Sequence, residues 1–112
     1  MRIFKFGGAS VKDANGVNNL ITILNTLGSE KTLIVVSAMG KTTNSLELVV
    51  KNYFDNKEEL QHSLNEVFTF HNNILEDLFN DNKYEIFSDV NEIFENLRIF
   101  LKRNKSPDYS FV

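Results

Sequence analysis

Hydrophobic positions are arranged in two different ways along this chain. Near the N-terminus they come as short unbroken runs, and after Asp55 they come as long stripes at three- and four-residue steps. Ile3, Phe4 and Phe6 surround Lys5 in the first run; the second, Leu33 to Val36, is rich in β-branched residues. Runs of that length and composition predict strands covered on both faces. Between them Val17, Leu20, Ile21, Leu24 and Leu27 recur at helical spacing, with Asp13 placed to cap the start and Gly28 to end it. A strand, a helix and a strand with that crossover length predict a parallel βαβ unit.

The second half has a different period. A short helix is predicted around Leu46–Phe54, and Asp55, Asn56 and Lys57 mark a turn. Asn56 with Glu59 has the form of a capping box. Leu60, Leu64, Val67, Phe68, His71, Ile74, Leu75, Leu78 and Phe79 then form one stripe over about six turns. Asn80, Asp81 and Asn82 break it, and Asn82 with Glu85 repeats the capping signature. Ile86, Val90, Ile93, Phe94, Leu97 and Leu101 make a second stripe. Together the stripes predict an antiparallel helical hairpin. The chain therefore reads as α/β, with a βαβα unit over residues 1–54 and a helical hairpin over residues 55–105.

Parallel strands end on the same edge of a sheet, and open α/β sheets bind ligands at that carboxyl edge. Gly7 and Gly8 follow the first strand there. Paired glycines let main chain approach a ligand closely and take angles other residues avoid. Their N–H groups, with a helix just beyond, suit an anion. Lys5 supports two readings: a point charge for phosphate, or a lysine that snorkels its charge outward from a tight turn. The second strand runs into a loop of small and hydroxyl residues from Ser37 to Asn44, with Gly40 and Lys41 inside it. Two loops carrying lysines, glycines and hydroxyls are thus predicted to share one crevice.

Lys5-Phe6-Gly7-Gly8-Ala9-Ser10, followed by Val35-Val36-Ser37-Ala38-Met39-Gly40-Lys41-Thr42-Thr43-Asn44, resembles the start of the aspartate kinase family, within the amino-acid kinase superfamily. The resemblance implies the N-terminal part of a three-layer αβα amino-acid-kinase fold, with the hairpin as an appended helical excursion. It implies phosphoryl transfer from ATP, bound with Mg2+, to the side-chain carboxylate of L-aspartate, a first step towards lysine, threonine and methionine. By the same resemblance Lys5 contacts the transferring phosphate, and Lys5, Phe6, Gly7 and Gly8 form the ATP-binding segment. Thr43 and Ser37 fall at positions that contact the amino acid. The family usually has Thr or Ser where this chain has Ala9, which removes one hydroxyl and leaves Ser10 beside it.

Other readings of the same residues are weaker. Gly40-Lys41-Thr42 resembles the end of a phosphate-binding G-x-x-x-x-G-K-[ST] loop, but that loop needs glycine at position 35 and this chain has Val35 inside the strand. Lys41 then faces either solvent or nucleotide. His71, on an apolar stripe, reads as a packed, hydrogen-bonded histidine. His62 reads as lacking Cys, Asp or Glu at ligand spacing for a metal site. Glu76 and Asp77 read as a solvated face, and Lys102, Arg103 and Lys105 as complements to a helix dipole.

Composition sets outer limits. At 112 residues the chain is one small domain or part of a larger one. A net charge of −3 lacks the basic balance of a nucleic-acid binder. There is no cysteine, hence no disulfide framework or thiolate site. No stretch approaches the roughly 20 apolar residues of a membrane span, and no secretion signal is evident, so a cytoplasmic location is expected. The family's further motifs do not occur before Val112. The resemblance therefore implies an N-terminal portion, inactive alone, whose uncovered apolar strands and stripes favour a homo-oligomer. An alternative of another class is a non-catalytic helical assembly module with an anion-binding loop.

Overall fold

A computed structural model describes residues 1–28, 30–81 and 84–103. The elements run β1 (Arg2–Phe6), α1 (Ala14–Leu27), β2 (Thr32–Val36), α2 (Thr42–Asp55), α3 (Lys57–Leu78) and α4 (Glu85–Arg103). The fold is mixed α/β, as expected: among the described residues, four helices and one two-stranded parallel sheet. The chain divides into two compact units, Met1–Thr43 and Asn44–Val112.

In the first unit β1 and β2 pair in parallel, with Lys5 opposite Val35 and Phe6 opposite Val36. Asp13 caps α1 as its position predicts, its side chain accepting from the Gly16 N–H at 2.9 Å. Gly28 ends the helix with φ 81°, in the region that favours glycine. Arg2 fastens the far end of the unit: its guanidinium donates to the Leu27 carbonyl at 3.1 Å and pairs with Glu30 at 3.2 Å.

β2 departs from expectation. Its composition predicts a strand covered on both faces, yet Leu33, Ile34, Val35 and Val36 are all exposed. A two-stranded sheet offers an apolar strand no neighbour on its outer edge, and propensity alone cannot supply one. β1 does alternate, with Phe4 and Phe6 half-buried and Ile3 and Lys5 exposed.

The second unit is built on side-chain packing. Val49 and Tyr53 of α2, Leu60, Leu64 and Val67 of α3, and Leu101 of α4 form one buried cluster, with Phe54, Phe94 and Leu97 packed against it. Tyr53 and Leu64 are fully buried, and burial of one such side chain contributes roughly 1.5–3 kcal/mol. The hairpin is antiparallel: Phe68 meets Phe94 edge-on at 5.4 Å, and further along Phe79 meets Phe87 at 6.2 Å.

Three details of the sequence reading change here. The Asn56 side chain makes no cap bond; its N–H instead closes α2 on the Asn52 carbonyl at 2.9 Å, and its carbonyl accepts from the Glu59 N–H. A single residue joins α2 to α3, so its main chain serves both helices. The second stripe is also rotated: α4 buries Phe87 and Leu101, whereas Ile86 and Ile93 are exposed. His62, finally, does have a carboxylate at helical spacing, pairing with Glu66 at 3.0 Å on the surface. The cap predicted at Asn82 and the cation at Lys105 lie outside the described residues. Lys102 and Arg103 do occupy the last turn of α4. Among the described residues no helix is long and apolar enough to cross a membrane.

Candidate functional site: two loops joined at the sheet edge

β1 and β2 end together, and main-chain bonds carry the pairing into the loops beyond them. The Ser37 N–H donates to the Phe6 carbonyl at 2.9 Å, extending the ladder past β2. The Gly40 N–H donates to the Gly8 carbonyl at 3.1 Å. The juxtaposition expected of a parallel unit is thus fixed by the backbone itself. The first loop also folds on itself, the Ser10 and Val11 N–H groups donating to the Gly7 and Gly8 carbonyls at 3.0 and 3.3 Å.

The two glycines differ in what they supply. Neither has positive φ, so unusual backbone angles are not the reason for either. A Cβ on Gly8 would stand 2.7 Å from the Gly40 carbonyl oxygen and 3.1 Å from that of Ala38. A side chain there would force the two loops apart. A Cβ on Gly7 would meet nothing within 4 Å, so the chain at Gly7 opens onto free space. That is the geometry of a cradle: one glycine locks the loops, and the other lets a ligand reach main chain.

Lys5 lies one residue before the end of β1, exposed, on the same face as Ile3. Among the described residues no ion pair holds it. Its charge is therefore available at the sheet edge. Ser37 is exposed in the second loop. Thr43 is exposed too, but its setting differs from expectation: α2 begins at Thr42, four residues before the predicted start, so Thr43 sits in the first turn of a helix. Thr42 takes the structural part, buried, with its hydroxyl donating to the Met39 carbonyl at 2.5 Å. Hydroxyl residues that read as loop formers here close the turn entering the helix. Lys41 is exposed.

Sequence reasoning missed two positions. Gly40 reads as one residue of the second loop and of its motif with no task of its own, yet it has φ 57° and makes the bond to Gly8. A glycine closing a small-residue loop after a strand was the available signal. Gly16 escaped notice altogether: a Cβ there would stand 2.4 Å from the Ser10 carbonyl oxygen, so it seats the first loop against the start of α1.

Away from these loops the chemistry is sparse. His71 Nδ1 lies 2.8 Å from the Val67 carbonyl, and its ring packs against Phe70 and Phe94. That is the packed histidine its stripe position predicts. Glu76 and Asp77 are exposed, and Glu76 accepts from the Asn72 side chain. An open groove of about 470 Å³ lies beside Phe68 and Phe94, where Arg98 already donates to Glu95. Among the described residues no three His, Asp or Glu groups cluster to hold a metal ion.

Comparison with known proteins fits this geometry. The model of the amino acid kinase family matches residues 1–82. The chain belongs to the amino acid kinase family. Within it, a segment of 46 residues is 46% identical to Aspartokinase 1, chloroplastic, of Arabidopsis thaliana, covering 41% of this chain and 8% of that protein. Aspartokinase 2, chloroplastic, of the same plant is 43% identical over 44 residues, covering 39% of this chain and 8% of the relative. The matched segment therefore represents a small part of either relative's length.

Proposed function

We propose that this chain supplies the phosphate loop and part of the acceptor site of an aspartate kinase. The reaction transfers the γ-phosphoryl group of MgATP to the side-chain carboxylate of L-aspartate. A carboxylate oxygen forms a bond to the γ-phosphorus. The bond from that phosphorus to the β–γ bridging oxygen breaks, and ADP leaves with the electron pair. No general base is required, because the carboxylate is ionised at neutral pH. What the protein must supply is position and charge neutralisation for a loose, anionic transition state.

The observation that carries this reading is the backbone join between the Gly7–Gly8 loop and the loop from Ser37 to Lys41 at the carboxyl edge of the sheet. It is supported by family membership and by two relatives named as aspartokinases. The residues suit the nucleotide: Gly7 leaves room for a phosphate to reach main chain, and Lys5 offers an unengaged ammonium. Magnesium would arrive with the phosphates and add charge neutralisation there. In the proposal Lys5 acts on the transferring phosphate, Phe6, Gly7 and Gly8 complete the nucleotide segment, and Ser37 and Thr43 orient the amino acid. The place in lysine, threonine and methionine biosynthesis and a cytoplasmic setting belong to the same proposal.

The test is a titration of the chain with MgATP, followed by amide NMR. The expected result is saturable shifts centred on Gly7, Gly8 and Ser37, with L-aspartate moving Thr43. Shifts confined to α3 and α4, or none at millimolar nucleotide, would remove the proposal.

A further inference from the structure

We propose that Lys41 makes the site select an anionic acceptor, holding the side-chain carboxylate of the amino acid against the phosphate that Lys5 engages; this rests on the aspartate kinase reading. The roles proposed for Lys5, Ser37 and Thr43 leave Lys41 without one. It is the one charged residue between Ser37 and Thr43, the two hydroxyl residues assigned to the amino acid. A hydroxyl donates to a carboxylate and to an amide oxygen alike, so Ser37 and Thr43 do not tell aspartate from asparagine. A cation does. It also offsets the repulsion that arises when a carboxylate approaches a triphosphate tail.

Backbone geometry brings Lys41 to the cradle. The Gly40 N–H is bonded to the Gly8 carbonyl at 3.1 Å, and φ 57° at Gly40 turns the chain there. The Gly40 carbonyl carbon stands 3.6 Å from the point a Gly8 Cβ would occupy. One peptide bond separates that carbon from the Lys41 Cα, which therefore lies within about 6 Å of the same point. A four-carbon stem spans about that distance, so the ammonium reaches a ligand resting on Gly7 and Gly8. Lys41 is exposed, and among the described residues no ion pair holds it. Within residues 1–43 the acidic side chains are Asp13 and Glu30. Asp13 caps α1, and Glu30 pairs with Arg2 at the other end of the strands. Against these two stand the five cations Arg2, Lys5, Lys12, Lys31 and Lys41, so this unit is net +3 in a chain that is net −3. Such an excess draws an anion from outside.

Titrations of the 112-residue chain with L-aspartate, L-asparagine and MgATP, followed by amide NMR, test the assignment. The unaltered chain should bind L-aspartate at least about tenfold more tightly than L-asparagine, the scale of one hydrogen bond to a charged group. Lys41→Met keeps the stem and removes the charge. It should erase the preference by weakening L-aspartate alone, with MgATP bound as before. Lys41→Arg, which keeps the charge, should restore most of the preference. Because Lys41 is exposed, both variants should keep the Gly8 and Gly40 amide resonances of the unaltered chain. A preference that survives in Lys41→Met, or a loss of MgATP affinity in place of L-aspartate affinity, would overturn the inference and leave the kinase reading standing. An unaltered chain that binds MgATP and does not prefer L-aspartate would overturn it as well. One that binds none of the three ligands would remove the kinase reading and this inference together.

Discussion

Residues 1–43 are held largely by main chain against main chain, and the unit that begins at Asn44 by side chain against side chain. In the first unit the loops are tied by the Phe6–Ser37 and Gly8–Gly40 bonds, and Gly8 and Gly16 pass close to carbonyl oxygens. Its strands leave Ile3 and Leu33 to Val36 exposed. In the second unit Tyr53 and Leu64 are fully buried, and aromatic pairs run along the hairpin. Under the proposed function, the difference teaches that placing phosphate-binding groups calls for little core. It calls for backbone that cannot shift, because a displacement of about 1 Å is enough to damage catalysis.

That contrast can be attacked where it predicts most. Leu64→Ala removes a side chain from the centre of the second unit and should lower stability by about 2–5 kcal/mol, read as a shift in urea midpoint by helical circular dichroism. A loss under about 1 kcal/mol would mean that the cluster does not hold the hairpin. In the first unit the comparable effect should come from glycine. Gly8→Ala should cost about 1–3 kcal/mol, as overpacking does, and displace the Gly40 and Ser37 amide resonances. Gly7→Ala should leave those resonances in place and weaken MgATP binding. Equal behaviour of the two variants would erase the division of labour between them.

A smaller effect separates chemistry from folding. In a chimera in which this segment replaces the matching part of Aspartokinase 1, Lys5→Ala should reduce the maximal rate by at least about tenfold, about 1.4 kcal/mol of transition-state stabilisation. Its melting temperature should hardly move, because the side chain is exposed. An early-melting variant that keeps its rate would make Lys5 structural. Smallest of all is Asp13→Ala, expected to cost about 1 kcal/mol through loss of the α1 cap. Faster amide exchange confined to the first turn of α1 would verify it.

Much of this was legible without coordinates. Asp13 and Gly28 announce the ends of α1 because capping is local chemistry, decided within a few residues. The parallel pairing follows from two apolar runs and one crossover, and it places Gly7–Gly8 beside Ser37 with no knowledge of packing. The resemblance carried by Lys5 to Ser10 and Val35 to Asn44 rests on the residues themselves. The absence of a side-chain cap at Asn56 was not legible, because only the folded chain shows that a single residue joins two helices and serves both through its main chain. Neither was the start of α2, since Thr42 and Thr43 suit a loop and a first helical turn equally well.

Tertiary structure alone decided three matters. It divided the work of two adjacent glycines, since only the approach of the Ala38 and Gly40 carbonyls distinguishes Gly8 from Gly7. It chose which flank of a broad apolar stripe α4 buries, taking Phe87 and leaving Ile93 to solvent. Periodicity defines a face but not its width, and a helix packed on one neighbour cannot bury more than that neighbour covers. It also left β2 exposed despite its composition. An amino-acid sequence fixes which residues favour a strand, whereas burial depends on what other parts of the fold lie against it.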